Sequence, residues 1–557
     1  EYHREPFAAD VSEGKNDPIY NAHSYHTKVP HRAIMRYILH YTQPGDIVFD
    51  GFCGSGMTGV AAEMCEDSNA IKELGYHIDE NGDVLQIENQ EGEKISKVVS
   101  KIGKRRAILS DLSPAATFMS YVYNKCSYGK QLEQLKRAIE EFIRNYKWSF
   151  FTLKDSTNAR LLADEFRKVD ILNQEQVNSF FRKYSSLFAE INYLVWSDVY
   201  ICPSCSSEII YWEATVDNET KKVRKDIVCN SCQLILEKKE LIRAFKSDFD
   251  TSINQLINQP KQVPVLINYS IESKRFEKEP DEFDLILYQK FEELNLPFWV
   301  PTNKLEKGVK TNEPIRLGIT NVHHFYTKRI LYLLGAFLSE VNVDIWLKTF
   351  LHGSVLPKLT KMNRYMPQHG SRALVGPMAN ALYFPPMNVE NNVLDQFNFQ
   401  LKKILKALNQ YDGNIVSTQS TTDLMIKDNS IDYIFLDPPF GANIMYSELS
   451  FVRESWLKVR TNNESEAIEN KAQGKSLFDY TQLMVRCLKE AYRILKPGKW
   501  ITIEFSNTQA SVWNAIQHAI QEAGFIIASV DALDKKRGGF HAMITTTAVK
   551  QDLVISA

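Results

Sequence analysis

Three stretches predict an α/β fold built on a nucleotide-type sheet. The first is a short apolar strand, residues 46–49, that runs into the turn Asp50-Gly51-Phe52-Cys53-Gly54-Ser55-Gly56 and then a small-residue helix over 60–65. The second is a strand at 107–111 that ends in the carboxylate of Asp111. The third is an apolar run, 433–436, that stops abruptly at Asp437-Pro438-Pro439-Phe440-Gly441. Open α/β sheets bind ligands outside the carboxyl ends of their strands, where all three stretches place their polar residues.

The glycine turn comes first in the chain. A helix from about Pro30 precedes it, with Ile34, Tyr37, Ile38 and Tyr41 on one face and Pro44-Gly45 as its stop. Glycines let the backbone approach a ligand closely, and the following helix start, near Thr58, offers unpaired N–H groups. Phosphate binders share that logic. Here no G-K-[ST] ending follows, which argues against a Walker loop, and the G-x-G-x-x-G spacing of dinucleotide folds is absent. Residues 66–104 read as a surface insertion with a hairpin around Asn81-Gly82. At the end of the next strand, Asp111 can hold ribose hydroxyls or cap the helix that follows Ser113-Pro114, over 115–124.

The proline tip is stiff, because each proline fixes φ and holds its predecessor extended. It offers the Asp437 carboxylate, the Pro438 carbonyl and the Phe440 ring. Those groups suit an exocyclic amino group on a flat heterocycle: two acceptors for its two N–H bonds and a ring to stack on. The plainer reading is a strand followed by a proline turn.

Composition bounds the rest. A chain of 557 residues favours two or three domains, with ample apolar and aromatic content for a large core. Net charge is −2, so a nucleic-acid partner must be met by local basic patches. There is no signal peptide, and the longest apolar stretch, 330–338, is too short to span a bilayer. The chain begins without Met and its last residues, 552–557, still read as strand, as in a fragment or a trimmed chain. Of the eight cysteines only Cys202, Cys205, Cys229 and Cys232 form a spaced set, which fits a reducing, cytoplasmic protein better than a disulfide framework. Their two CxxC pairs read as a zinc ribbon, with four thiolates closing the shell of a structural Zn2+.

The middle of the chain is less legible. Residues 136–195 read as a charged, tyrosine-rich helical connector. Within 246–400, two stretches mix basic, amide and aromatic residues: 319–329, and 358–365 with Gln368, His369 and Arg372 beyond. Such residues read bases and hold phosphates, or simply cover a solvated loop. His323 and His324 have no cysteine or acid at ligand spacing and are not read as metal ligands. From 401 the core returns, with strands at 414–418, 525–530 and 543–556 and helices at 446–457 and 480–495. Leu449, Phe451, Val452 and Trp456 point inward on the first of these helices. The basic loop 535–540 can hold phosphates.

These motifs resemble those of the amino-methylating DNA methyltransferases that use S-adenosylmethionine, and most of all the adenine-specific DNA methylases with a zinc ribbon. The turn at Asp50 matches their cofactor loop, Thr27-Lys28-x-Pro30 their methionine-end motif, Asp437-Pro438-Pro439-Phe440 their catalytic motif, and 495–505 their fifth strand with its lead-in. The resemblance covers roughly residues 1–125 and the last 140 or so. It implies a Rossmann-like, seven-stranded methyltransferase sheet built from both chain ends: a cofactor half at 1–135 and a catalytic half at 401–557, around the connector, the zinc ribbon at 196–245 and a target-recognition region at 246–400. It assigns cofactor contacts to Thr27, Lys28, Pro30, Asp50, Gly51, Phe52, Cys53, Gly54, Gly56, Thr58, Asp111, Leu112, Ser420 and Thr421. It also implies N6 methylation of a flipped adenine in double-stranded DNA, in a restriction-modification or phage-defence setting with restriction or defence subunits as further partners. Cytosine-N4 methylation, RNA base methylation and an inactive DNA-recognition subunit are the alternatives. The 66–104 insertion departs from the family pattern.

Overall fold

The computed structural model describes residues 3–90, 93–125, 128–217, 220, 222–367, 374–408, 413–507, 509–534 and 551–557. Gln368, His369, Arg372, the 535–540 loop and the first part of the last expected strand lie outside them. The chain divides into two compact units, Glu1–Gly129 with Lys403–Ala557, and Lys130–Lys402.

The first unit is organised by a seven-stranded sheet. In chain order it contains α1 (His31–Tyr41), β1 (Ile47–Asp50), α2 (Met57–Met64), β2 (Arg106–Asp111), α3 (Pro114–Asn124), β3 (Ile415–Thr418), β4 (Ile431–Leu436), α4 (Tyr446–Trp456), α5 (Leu477–Ile494), β5 (Leu495–Phe505), α6 (Ala510–Glu522), β6 (Ser529–Asp534) and β7 (Gln551–Ser556). The strands lie in the order β3-β2-β1-β4-β5-β7-β6. The first five run parallel, and β7 is antiparallel to both of its neighbours. Because β4 returns to the other side of β1, the strand order reverses between them. A crevice opens at such a switch point.

Register fixes what meets there. Phe49 pairs with Ile434, Asp50 with Leu109, and Thr418 with Asp111, so the polar strand ends share one edge. The core behind them packs Phe49, Ile434, Leu436, Ile501 and Phe505 of the sheet against Tyr480, Met484 and Leu488 of α5 and Ile516 and Ile520 of α6. Parallel strands covered on both faces need continuous apolar runs, and all six residues of β4 are buried.

The 66–104 segment holds a short helix, Ser68–Glu73, and a three-stranded antiparallel sheet, His77–Ile78, Asp83–Gln90 and Glu93–Lys101. A fully buried Arg105 ties its exit to the end of α1. The guanidinium donates to Thr42 O (3.1 Å), Gly103 O (2.6 Å) and Ser100 Oγ (2.8 Å).

The second unit corrects part of the helical connector. Three helices, Lys130–Tyr146, Ala159–Phe166 and Gln174–Lys183, do form, but Phe188–Ile201 is a 14-residue strand. Its aromatic and β-branched content favours a pleated, half-buried surface. This strand is the spine of an antiparallel sheet, paired with Gln262–Ile271 on one side and Met387–Asn391 on the other. In the first unit, a strand expected at 525–530 begins instead at Ser529. No helix among the described residues is long and apolar enough to cross a membrane.

Candidate active site and cysteine cluster

A cleft opens at the switch point of the first unit. The glycine turn forms one wall. Asp50 is buried; its Oδ2 accepts the Thr58 hydroxyl (2.5 Å) and its Oδ1 the Phe52 N–H (3.0 Å). Burial pushes its carboxyl up to about 7. Gly54 and Gly56 sit at φ +50° and +81°, in the left-handed region, and a Cβ on Gly56 would lie 2.3 Å from Ser120 Oγ. The turn is locked from three sides. Cys53 N–H donates to Ser110 O (3.0 Å), Gly54 N–H to Asp111 Oδ2 (2.9 Å), and the Thr421 hydroxyl to Gly51 O (2.5 Å).

Asp111 accepts a second amide, Ser113 N–H, at 2.8 Å, while burial pushes its carboxyl up to about 6. The helix cap expected of it falls to Ser113, whose side chain accepts Ala116 N–H. Lys28 enters from the segment before α1. Its ammonium donates to the carbonyls of Tyr20 and His23, and burial, reinforced by Arg453, lowers it to about 7. Thr27 Oγ1 lies 3.5 Å from the Tyr446 hydroxyl.

The proline tip forms the opposite wall. Asp437 is half-buried and lines the cleft together with Pro439. Tyr480 donates to Pro439 O (2.9 Å) and Asn507 Nδ2 to Phe440 O (2.8 Å), which pins the turn after the acid. Burial, with the Asp437 charge next, holds the Tyr446 phenol well above its ordinary range.

Of the residues singled out in the sequence, Thr27, Lys28, Asp50, Gly51, Phe52, Cys53, Gly54, Thr58, Asp111, Leu112, Ser420, Thr421, Asp437 and Pro439 share this cleft. Pro30, Gly56, Pro438 and Phe440 do not line it. Pro30 is the residue before α1, and Gly56 precedes α2. Phe440 is only 8% exposed and packs edge-on against Phe505 at 5.3 Å, inside the core. Sequence reading passed over Tyr25, Tyr446, Ser447, Thr461, Ser465 and Glu466, which also line the cleft. Two of these are held by buried acids. Glu454 accepts Thr461 N–H (2.9 Å) and the Ser113 hydroxyl (2.7 Å), and Glu466 accepts Ser447 N–H (2.8 Å).

Chemically the cleft is acidic, with Asp50, Asp111, Asp437 and Glu466 against one lysine. Its two cysteines are no nucleophiles. Burial pushes the thiol of Cys487 up to about 12 and that of Cys53 well above its ordinary value.

Residues 6–81, which carry α1, β1 and the glycine turn, match a family model described as DNA methylase. The match and the cleft together support a methyltransferase. No curated protein matches the chain. Among solved structures, an antibiotic-related methyltransferase is 14% identical, with 30% of this chain and 72% of that one covered and a TM-score of 0.16. A SAM-dependent methyltransferase from Methanosarcina mazei is 13% identical, with 28% and 76% covered and a TM-score of 0.16. At these scores the likenesses carry no argument.

In the second unit the four spaced cysteines converge. Their sulfurs all lie within 4.8 Å of one another, with Cys202–Cys232 at 3.7 Å and Cys205–Cys229 at 3.6 Å. Ligands 2.3 Å from a tetrahedral centre stand about 3.8 Å apart, so the cluster fits a metal ion. The two turns are copies of each other. Cys202 N–H donates to Ser207 O as Cys229 N–H does to Leu234 O, both over 2.9 Å, and Ser206 and Gln233 share φ near +60°.

His323 and His324 correct the sequence reading that gave them no acidic neighbour. Asp250 lies 2.6 and 2.9 Å from their Nε2 atoms, and the three side chains form the second such group among the described residues. A partner 73 positions away in sequence leaves no local spacing to read.

Proposed function

We propose that this methyltransferase uses S-adenosylmethionine to methylate the N6 amino group of adenine in double-stranded DNA. The observation that carries the reading is that Gly54 and Asp437, far apart in sequence, line the same cleft. The glycine turn, Thr58, Asp111, Leu112, Ser420 and Thr421 would hold the nucleoside end of the cofactor, and Lys28 and Thr27 its methionine end. When bound, S-adenosylmethionine supplies a methyl group on a cationic sulfur, which an acidic cleft suits.

Asp437 then accepts one N–H of the target amino group. The Pro438 carbonyl is the second acceptor in this reading. Two acceptors draw the nitrogen lone pair out of ring conjugation and aim it at the methyl. The amino group lies inside the duplex stack, so the base must be flipped out, at a cost of a few kcal/mol. Catalysis is positioning plus polarisation, with no covalent enzyme intermediate. An aspartate at the head of the motif favours adenine over cytosine-N4, by resemblance to the family.

Cys202, Cys205, Cys229 and Cys232 would hold a structural Zn2+. A restriction-modification or defence setting, with restriction or defence subunits as partners, belongs to the same reading.

The test uses S-adenosylmethionine with a tritiated methyl group, offered with duplex DNA and, separately, RNA. The product is digested to nucleosides. N6-methyl-2′-deoxyadenosine, with label from DNA alone, is expected. N4-methylcytosine, or label only in RNA, overturns the substrate. No incorporation and no cofactor binding overturn the activity.

A further inference from the structure

We infer that the hairpin Phe245–Asp250/Gln255–Pro260 is a DNA-reading ribbon that contacts A·T pairs in the major groove, an inference that rests on the reading above. Its strands pair antiparallel, with Phe245 opposite Pro260, Ser247 opposite Asn258 and Phe249 opposite Leu256. Directly opposed residues share a face. On this face Phe245, Phe249 and Leu256 are 43%, 54% and 78% exposed. Three large apolar side chains on one short outward face call for an occupant.

The other face is anchored at Asp250 and Gln259, while Lys246 and Asp248 on it are exposed and pair with each other over 2.9 Å. Asp250 is buried where the ribbon turns and takes both histidines on Oδ2. His324 Nδ1 accepts the backbone N–H groups of Thr320 (3.2 Å) and Asn321 (3.3 Å). That fixes the tautomer: Nε2 carries the proton and donates it to Asp250. A metal ion on His324 Nε2 would need that proton removed, so the group is a hydrogen-bonded clamp and not a metal site. Gln259 Nε2 also donates to Gly318 O (3.4 Å), and a Cβ on Gly318 would lie 1.9 Å from Asn258 O. The ribbon is therefore held against the segment 303–322, which closes on itself through Leu305 N–H to Thr320 O (2.8 Å) and Val322 N–H to Asn303 O (3.0 Å).

That segment supplies charge. Lys304, Lys307 and Arg316 are exposed on it, interspersed with Glu306 and Glu313, so exposed cations outnumber exposed acids by three to two. Cations beside a ribbon match a phosphate backbone beside a groove, and the major groove admits a two-stranded ribbon. The outward groups suit one base pair in particular. An Asn amide pairs with the N6/N7 edge of adenine, and apolar side chains meet the thymine methyl. Asn258 lies between the Phe245–Pro260 and Phe249–Leu256 pairs, with Ser247 Oγ 3.3 Å from its Oδ1.

The experiment selects binders from a randomised duplex pool with the full chain and with two variants, Asn258→Ala/Leu256→Ala and Lys304→Glu/Lys307→Glu. All four positions are exposed, and melting curves check that each variant folds like the parent. The ribbon variant should select an altered motif at its A·T positions. The charge variant should keep the motif but bind every duplex at least tenfold more weakly, with a salt slope shallower by about 2. A ribbon variant that selects the parent motif with parental affinity overturns the inference while leaving DNA methylation intact. A parent chain that selects no duplex and methylates none overturns both.

Discussion

The Gly54 N–H donates to Asp111 Oδ2 over 2.9 Å, which ties the turn after β1 to the end of β2. The other oxygen of the same carboxylate takes Ser113 N–H. One half-buried acid thus sets the turn and the start of α3 together. Asp111→Asn keeps the shape but turns one acceptor into a donor, so one of the two amides loses its partner. A charge-assisted bond of this kind contributes roughly 1.5–3 kcal/mol. Cofactor affinity, read by titration calorimetry, should fall about tenfold or more. An unchanged affinity would show that the turn holds its shape without this bond.

Stability of the first unit should fall as pH rises from about 4 to 7. The carboxyls of Asp50 and Asp111 are raised from 3.8 to about 7 and about 6, both mainly by burial. Within that window the folded chain holds protons that the unfolded chain has released, so deprotonation favours unfolding. Lys28 acts in the next window. Its ammonium is lowered from 10.5 to about 7, so above 7 the unfolded chain binds more protons and this group adds stability as pH rises. Urea unfolding at a series of pH values reads both slopes. Asp50→Asn should flatten the lower one, and Lys28→Met the upper one.

How much of this was written in the sequence depends on the range of the contact. Asp50–Gly56 and Asp437–Gly441 were readable because each motif is local, and the switch point in the sheet brings two local motifs together. The roles of Glu454 and Glu466 were not, since their partners are set by how α4 packs on α3 and on the 461–467 loop. Phe440 misled for the same reason. An aromatic ring after two prolines suits a stacking surface, yet the core behind β5 takes it up. The strand at Phe188–Ile201 was hidden by the helical, charged residues before it, and the Asp250 clamp by its separation from His323.

The two cysteine turns lead to a metal prediction that does not depend on activity. The purified chain should carry one zinc by elemental analysis, and Cys229→Ser should lose it. Burial of Cys202 and Cys229 in the cluster with Tyr200, Trp212 and Ile227 couples that loss to local packing. Protease should then cut within 202–236, while the parent chain resists. Retention of full zinc by the variant would remove Cys229 from the ligand set.

Asp437 and Phe440 stand three residues apart and should fail differently. Asp437 is half-buried and lines the cleft at the end of β4. Asp437→Ala should therefore abolish methyl transfer while cofactor binding and melting temperature stay near those of the parent. The Phe440 ring lies in the core against Phe505, so Phe440→Ala opens a cavity there, at a cost of roughly 3–5 kcal/mol. Its melting temperature should drop with its activity. Phe440→Leu, which keeps most of the volume, separates the two roles. It should restore stability, and any activity still missing measures what the ring does for the base. If Asp437→Ala lost cofactor binding as well, the acid would belong to the cofactor site and the catalytic reading of the tip would fall.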